Sequence, residues 1–386
     1  MVRILLNNMN NEALGIIFPN SYDTLLPELT NDRSMASIPF ASRYRLVDFV
    51  LSSMVNGGID NVSILAKENY LSLIDHLGNG REWDLSRKNG GLNIVPPFAQ
   101  KSSDKYNGRV EALSSIYNFL NREREKYVVM SDSNIAMNFD FKAFLNAHIK
   151  SGADVTMVYA KTVLPDSGKK FSISNKDLYY TLVMDDDKRV TEIKTSPETK
   201  DEVKLSLNMF VIERELLIKL ISQAYVDGMI YFERDVLARH LESLTVKGYE
   251  FDGYFARMVS MKSYFDENMK LLEQKNLDAL FSGNPIYTKI RDDNPARYVK
   301  GAKVSNVMVA DGCVIEGEVE NSILFRGVHV KKGAKVSNCI LLQDTVVGEN
   351  ASINYLVTDK IVNIKDGTTA SGTVDFPVYV AKGKEL

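Results

Sequence analysis

From about residue 298 onward, aliphatic side chains return every five or six positions: Leu324, Val330, Val336, Leu341, Val347 and Ile353. A longer period lies over the short one. Val304, Val319, Val336 and Ile353 recur about 17 residues apart, and three of them open similar text: Val304-Ser305-Asn306-Val307-Met308-Val309, Val319-Glu320-Asn321-Ser322-Ile323-Leu324 and Val336-Ser337-Asn338-Cys339-Ile340-Leu341. A helix face repeats every 3.6 residues and a flat strand every two, so neither accounts for this spacing. A triangular coil of three short strands, each turning one aliphatic inward, does. The segment is therefore expected to be a parallel β-helix of the left-handed, hexapeptide kind. Gly312, Gly317, Gly327, Gly333 and Gly348 fall at or near the corners, where positive φ is useful.

The first 240 or so residues follow another rule. Short apolar runs (Val62–Leu65, Tyr127–Met130, Val155–Tyr159) alternate with helix-period segments such as 111–121 and 140–150, the pattern of a doubly wound, Rossmann-like α/β sheet. The run Tyr179–Met184 and its successor Val190–Ile193 predict an antiparallel hairpin added to that sheet, with Asp185–Asp187 as its solvated turn rather than a metal site. The expected division is an α/β domain over 1–285, including a linker helix at about 260–281, and a β-helix domain over 286–386. The formal net charge of −3 gives no electrostatic case for nucleic acid or an anionic membrane. The apolar start, Met1–Leu6, is too short for a signal peptide, and no run approaches a membrane span. Two cysteines, Cys313 and Cys339, suit a reducing compartment, so a cytoplasmic protein is expected.

Between Gly15 and Gly57 there is no glycine. The stretch opens as a buried strand, Leu14–Phe18, and continues Asn20-Ser21-Tyr22-Asp23-Thr24-Leu25-Leu26. A strand followed by such a loop is where α/β proteins hold a nucleotide phosphate, and a phosphate loop needs glycine so that its N–H groups can approach the anion. The position is kept while the chemistry is missing.

A doubly wound domain before a hexapeptide β-helix, with the block Ile38-Pro39-Phe40-Ala41-Ser42-Arg43-Tyr44-Arg45-Leu46-Val47-Asp48-Phe49 and then Asn56-Gly57-Gly58-Ile59, resembles the bacterial ADP-glucose pyrophosphorylases over nearly the whole chain. The resemblance implies in-line transfer of an adenylyl group from ATP to glucose 1-phosphate on a Mg²⁺ held by two aspartates. Against that pattern this sequence departs in one direction. The loop Gly-Gly-x-Gly-Thr-Arg-Leu corresponds to Asn20–Leu26, so its arginine is Leu25 and Asp23 brings negative charge. The lysine of Lys-Pro-Ala-Val-Pro-Phe is Met35. Tyr-x-Gly-Thr-Ala-Asp-Ala becomes Tyr106-Asn107-Gly108-Arg109-Val110-Glu111-Ala112, with Arg109 in place of a small threonine. Gly-Asp-His aligns with Asp132-Ser133-Asn134, which puts Ser133 at one metal aspartate; a shift of one residue offers Asp132. The other metal aspartate corresponds to Arg257, and Glu-Lys-Pro to Lys194-Thr195-Ser196.

The resemblance thus implies no catalytic residue and no cofactor or metal for this chain, the catalytic positions being substituted by Leu25, Met35, Ser133 and Arg257. Tyr106, Gly108, Asp132 and Lys194 are expected as remnants of the substrate pocket. Arg43, with Arg45 beside it, matches basic positions linked in the family to anionic effectors, although Arg45 and Asp48, three apart, also read as an ion pair or helix cap. Such a degenerate half on an intact scaffold resembles the GlgD-type regulatory subunit of the family. That resemblance implies assembly with a catalytic, GlgC-type homologue, which carries the Mg²⁺, in a hetero-oligomer of tetrameric type, and a homo-oligomer when alone. Three alternatives stay open: an active adenylyltransferase with a compensated site, a sugar-phosphate or nucleotide sensor without turnover, and a β-helix acyltransferase using His329.

Overall fold

The computed structural model describes residues 12–96, 106–164 and 179–386. The apolar start at Met1–Leu6 lies outside the described residues. Contacts group the chain into two compact units, and neither is continuous. Unit one takes residues up to Thr24, Val50–Ser133 and Phe139–Gly253; unit two takes Leu25–Phe49, Asn134–Asn138 and Tyr254–Leu386. The segment around Tyr44–Phe49 therefore packs with the C-terminal part of the sequence.

Unit one is built on a nine-stranded mixed sheet. Its parallel centre runs Tyr127–Asp132, Ala13–Phe18, Asn61–Leu65, Gly91–Val95. Fully buried runs such as Ala-Leu-Gly-Ile-Ile-Phe suit a strand covered on both faces. Gly15 is required there by close approach: a Cβ would lie 2.9 Å from the Met54 sulfur. The long strand Glu202–Glu213 joins antiparallel to Tyr127–Asp132 and to Val155–Val163. It bends at Asn208, where φ is 54° and the register shifts. The hairpin Tyr180–Met184 with Val190–Thr195 stands at the sheet's end, as the sequence predicts. Its turn is held by Asp185, whose Oδ1 accepts from the N–H groups of Asp187 and Arg189.

Unit two contains the β-helix. Each column of the sequence repeat is a column of paired residues: Val304 with Val319, Val319 with Val336, and Val336 with Ile353. A second column pairs Ile315, Val330, Val347 and Ile364. From Val319 and Ile315 on, these side chains are buried and form one core with Cys313 and Cys339. Burial pushes those thiols up, to about 11 and about 12, so both behave as small apolar groups. Three of the five corner glycines take positive φ: Gly312, Gly327 and Gly333. Gly317 and Gly348 do not; they are needed for close packing, since a Cβ at Gly317 would sit 2.4 Å from the Ala334 carbonyl oxygen. Further left-handed corners include three asparagines, Asn306, Asn321 and Asn338, stacked at equivalent places of successive coils, with Asn306 donating to Asn321.

The linker helix is two helices, Met261–Lys270 and Gln274–Phe281. Ser260 caps the first in a capping box with Ser263. Tyr264 reaches back to donate to the Pro39 carbonyl, and Asn268 accepts from the Ala41 N–H. No described helix is long and apolar enough to cross a membrane.

Candidate functional site

In unit one the loop after strand Ala13–Phe18 keeps a left-handed turn without glycine: Tyr22 has φ 70°. A bulky residue there is strained, and it is held by burial and by a hydrogen bond from the Asn208 amide to its hydroxyl. The polar groups of the loop are bonded to the protein itself. Asn20 donates to Asp23 (2.7 Å) and to the Glu68 carbonyl (2.9 Å), and its Oδ1 accepts from the Lys67 N–H (2.8 Å). Ser21 donates to Asp132 Oδ1 at 2.7 Å.

This loop borders a cavity lined by residues of unit one alone. Four carboxylates face it (Asp23, Glu68, Asp132, Glu233) against two cations, Lys67 and Arg109. Three of the predicted remnants are there. Tyr106 donates to the Leu65 carbonyl, and burial first, then Asp23 and Glu68, pushes its phenol well above the usual range, so it stays protonated. Gly108 precedes the helix Arg109–Ser115, and a Cβ on it would lie 2.4 Å from the Ile230 carbonyl oxygen. Asp132 ends its strand with 1% of its side chain exposed. The fourth, Lys194, stands on the exposed hairpin 3.6 Å from Glu192 and does not line the cavity.

Arg109 decides the chemistry. Its Nη2 meets Asp132 Oδ2 at 2.7 Å and its Nη1 meets Glu233 Oε1. Its guanidinium lies over the rings of Phe18 (4.9 Å) and Phe210 (5.3 Å). Both oxygens of Asp132 are thereby engaged, one by Ser21 and one by Arg109. The residues here do not fit a metal ion. Ser133, buried, directs its hydroxyl to the Phe18 carbonyl at 3.4 Å, and the described residues hold no group of three or more His, Cys, Asp or Glu able to take one. Glu233, in the π-turn Phe232–Leu237, carries no motif signal in the sequence. Only the fold brings it to Arg109.

The remaining substituted positions lie in unit two. Leu25 is half-buried at the end of a short turn, Met35 is fully buried, and Arg257 sits on a two-residue strand paired with Ile135–Ala136. Unit two also holds Arg43 and Arg45, in different surroundings. Arg43 is exposed, 3.9 Å from Asp311. The Arg45 N–H donates to Asp48 Oδ2 at 2.9 Å, which makes Asp48 the helix-capping carboxylate of Leu46–Asn56.

The Arg45 charge also acts on Lys360. Burial first, then Arg45, Arg33 and Lys382, depress that amine to about 7, with Asp359 opposing. Asp359 is itself saturated: Arg33 Nη2 reaches both its oxygens (2.8 and 2.9 Å), and Tyr379 Oη lies 2.9 Å from Oδ2. Arg33 is 3% exposed, and its Nη1 has no hydrogen-bond partner among the described residues. A groove beside this cluster is lined by Glu28, Asp32, Asp359, Tyr379 and Lys382. Sequence reasoning reached Arg45 but missed Arg33, Lys360 and Lys382. Elsewhere on the β-helix, His329 is half-exposed and its Nε2 lies 3.0 Å from Glu316.

Comparison with known proteins bears on both units. The family described as "Nucleotidyl transferase" matches residues 15–274, and "GlmU-like, C-terminal hexapeptide" matches 293–373, in keeping with the left-handed β-helix expected of that period. "Glycogen biosynthesis protein GlgD" of Bacillus subtilis (strain 168) is 36% identical over 97% of each chain. The protein of that name from Geobacillus stearothermophilus is 37% identical over 85% of this chain and 84% of its own. A "Glucose-1-phosphate adenylyltransferase" of Bacillus mycoides (strain KBAB4) is 30% identical over 97% of this chain and 99% of its own. A nucleotidyltransferase sheet followed by a hexapeptide β-helix, matched end to end by such relatives, makes this chain a member of the nucleotidyl transferase family, alongside the GlgD proteins and the glucose-1-phosphate adenylyltransferases.

Proposed function

We propose that this chain is a non-catalytic, regulatory subunit acting in glycogen biosynthesis, which assembles with a catalytic glucose-1-phosphate adenylyltransferase homologue and alters its turnover. The observation that carries the reading is Asp132: the one carboxylate left at the metal positions has both oxygens committed to Ser21 and Arg109. A cavity with an excess of carboxylates also repels a triphosphate, which weighs against an active enzyme with compensated residues.

The effector role falls to unit two. Arg33, Arg45 and Lys382 act on Lys360 against Asp359, beside a groove that Glu28 and Asp32 also line, and this gathering of cations is where an anion such as a sugar phosphate would sit. Support for association comes from the end of the β-helix, where Val374, Phe376 and Val378 are exposed, Phe376 at 76%. Regulation of this kind requires that the partner's active and inactive states be contacted differently.

The test is co-elution of the purified chain with a catalytic homologue, followed by the kinetics of the complex. Co-elution with altered turnover supports the reading, and Phe376→Asp should weaken the complex without unfolding the chain. Failure to co-elute, or a complex with the homologue's own kinetics, sinks it.

A further inference from the structure

Arg109 is a cation inside a cavity, not at its rim. About one-tenth of its side chain is exposed, against 1% for Asp132 and 4% for Glu233. It joins three segments distant in sequence: the end of strand Tyr127–Asp132, the first residue of helix Arg109–Ser115 and the π-turn Phe232–Leu237. Two carboxylates brought this close in a buried place repel each other and cannot both stay ionised without a cation between them. Here that cation is covalently attached, and its planar fork gives one nitrogen to each carboxylate. The Phe18 and Phe210 rings hold the guanidinium on its faces, so it has little freedom to swing aside for a ligand.

We infer that Arg109 is a built-in stand-in for a divalent cation: it bridges the Asp132–Glu233 pair and offsets part of its charge, braces the cavity without any ligand, and keeps divalent metal ions out. This is a property of the isolated chain, independent of any partner. Removing the guanidinium should therefore uncover a divalent-cation site at the Asp132 and Glu233 carboxylates, hard oxygen donors suited to Mg²⁺ or Mn²⁺.

The experiment uses the full chain and Mn²⁺, followed by electron paramagnetic resonance and by thermal melting. The native chain should hold no Mn²⁺ that Asp132→Asn releases, and its melting temperature should not rise with Mn²⁺ in a manner that depends on Asp132. Arg109→Thr and the bulkier Arg109→Gln should melt lower than the native chain, gain one Mn²⁺ site and recover part of the lost melting temperature in Mn²⁺. Both gains should vanish when Asp132→Asn is added. If neither variant can be isolated folded, the readout becomes refolding with and without Mn²⁺, and rescue by the metal is the expected result. The inference is overturned if the native chain binds Mn²⁺ through Asp132, if either folded variant gains no Asp132-dependent site, or if Mn²⁺ rescues neither on refolding. Loss of co-elution with a homologue would leave it untouched, so the two proposals fail separately.

Discussion

Two arginines, one in each unit, are both buried against carboxylates, and they end in opposite electrostatic states. Arg109 gives one nitrogen to Asp132 and the other to Glu233, and Asp132's second oxygen is taken by Ser21. Arg33 gives a single nitrogen, Nη2, to Asp359, while Nη1 is left without a partner among the described residues, and burial with the neighbouring cations lowers the Lys360 amine. The first cluster is answered from within the chain. The second leaves one guanidinium nitrogen of Arg33 without a partner among the described residues and sets Arg33, Lys382 and Lys360 close together, the arrangement proposed above to take an anion. The contrast teaches that a ligand site in this protein is recognised by which charges remain unanswered, not by how many charges gather.

Five tests would break or sharpen that contrast. The largest effect is expected for Arg33→Met, which strands Asp359 in the interior and should cost about 3–5 kcal/mol of unfolding free energy in a urea titration. A loss below about 1 kcal/mol would mean that Asp359 finds another cation and the pairing matters little. Next comes sulfate, a probe whose charge does not change over the pH range. At about a hundred times its dissociation constant it should stabilise the chain by about 2.7 kcal/mol, and Lys360→Met with Lys382→Met should abolish the gain. ATP with Mg²⁺ should give no stabilisation that depends on Asp132. Ser21→Ala should cost about 1.5 kcal/mol, the value of one hydrogen bond to a charged group, without creating nucleotide affinity.

The smallest effect, per pH unit, is in pH dependence. Lys360 has a folded value near 7, below its ordinary 10.5, so between those values the unfolded chain binds the extra proton. Stability should therefore rise as pH goes from 7 to 10, by at most about 1.4 kcal/mol per unit. Sulfate affinity should fall over the same range as the amine loses its proton. Lys360→Met should flatten both slopes; unchanged slopes would assign the titration to another group.

The sequence carried the β-helix almost completely, because a column of inward aliphatics is a local rule repeated in every coil: Val319, Val336 and Ile353 stack as their spacing demands. What it hid there were the asparagine corners, since Asn tolerates left-handed backbone without announcing it as glycine does. In unit one the departures of the loop and of Arg109 were visible position by position, yet their consequence was not. Glu233 lies 124 residues from Arg109, and nothing in its neighbourhood marks it. The Arg33–Asp359 pair spans 326 residues and depends on the segment Leu25–Phe49 packing with the C-terminal unit, which no local pattern encodes. Lys194 shows the converse: a position expected as a pocket remnant lies on an exposed strand outside the cavity.

The central claim is that the chain keeps its charge chemistry for regulation and has none left for turnover. It is tested most directly by measuring pyrophosphate release from ATP and glucose 1-phosphate with this chain alone, with a catalytic homologue alone, and with the two together. The account predicts no release above background from the chain alone, and a turnover or effector response for the mixture that differs from the homologue's own. Release by the chain alone that disappears with Asp132→Asn would contradict it.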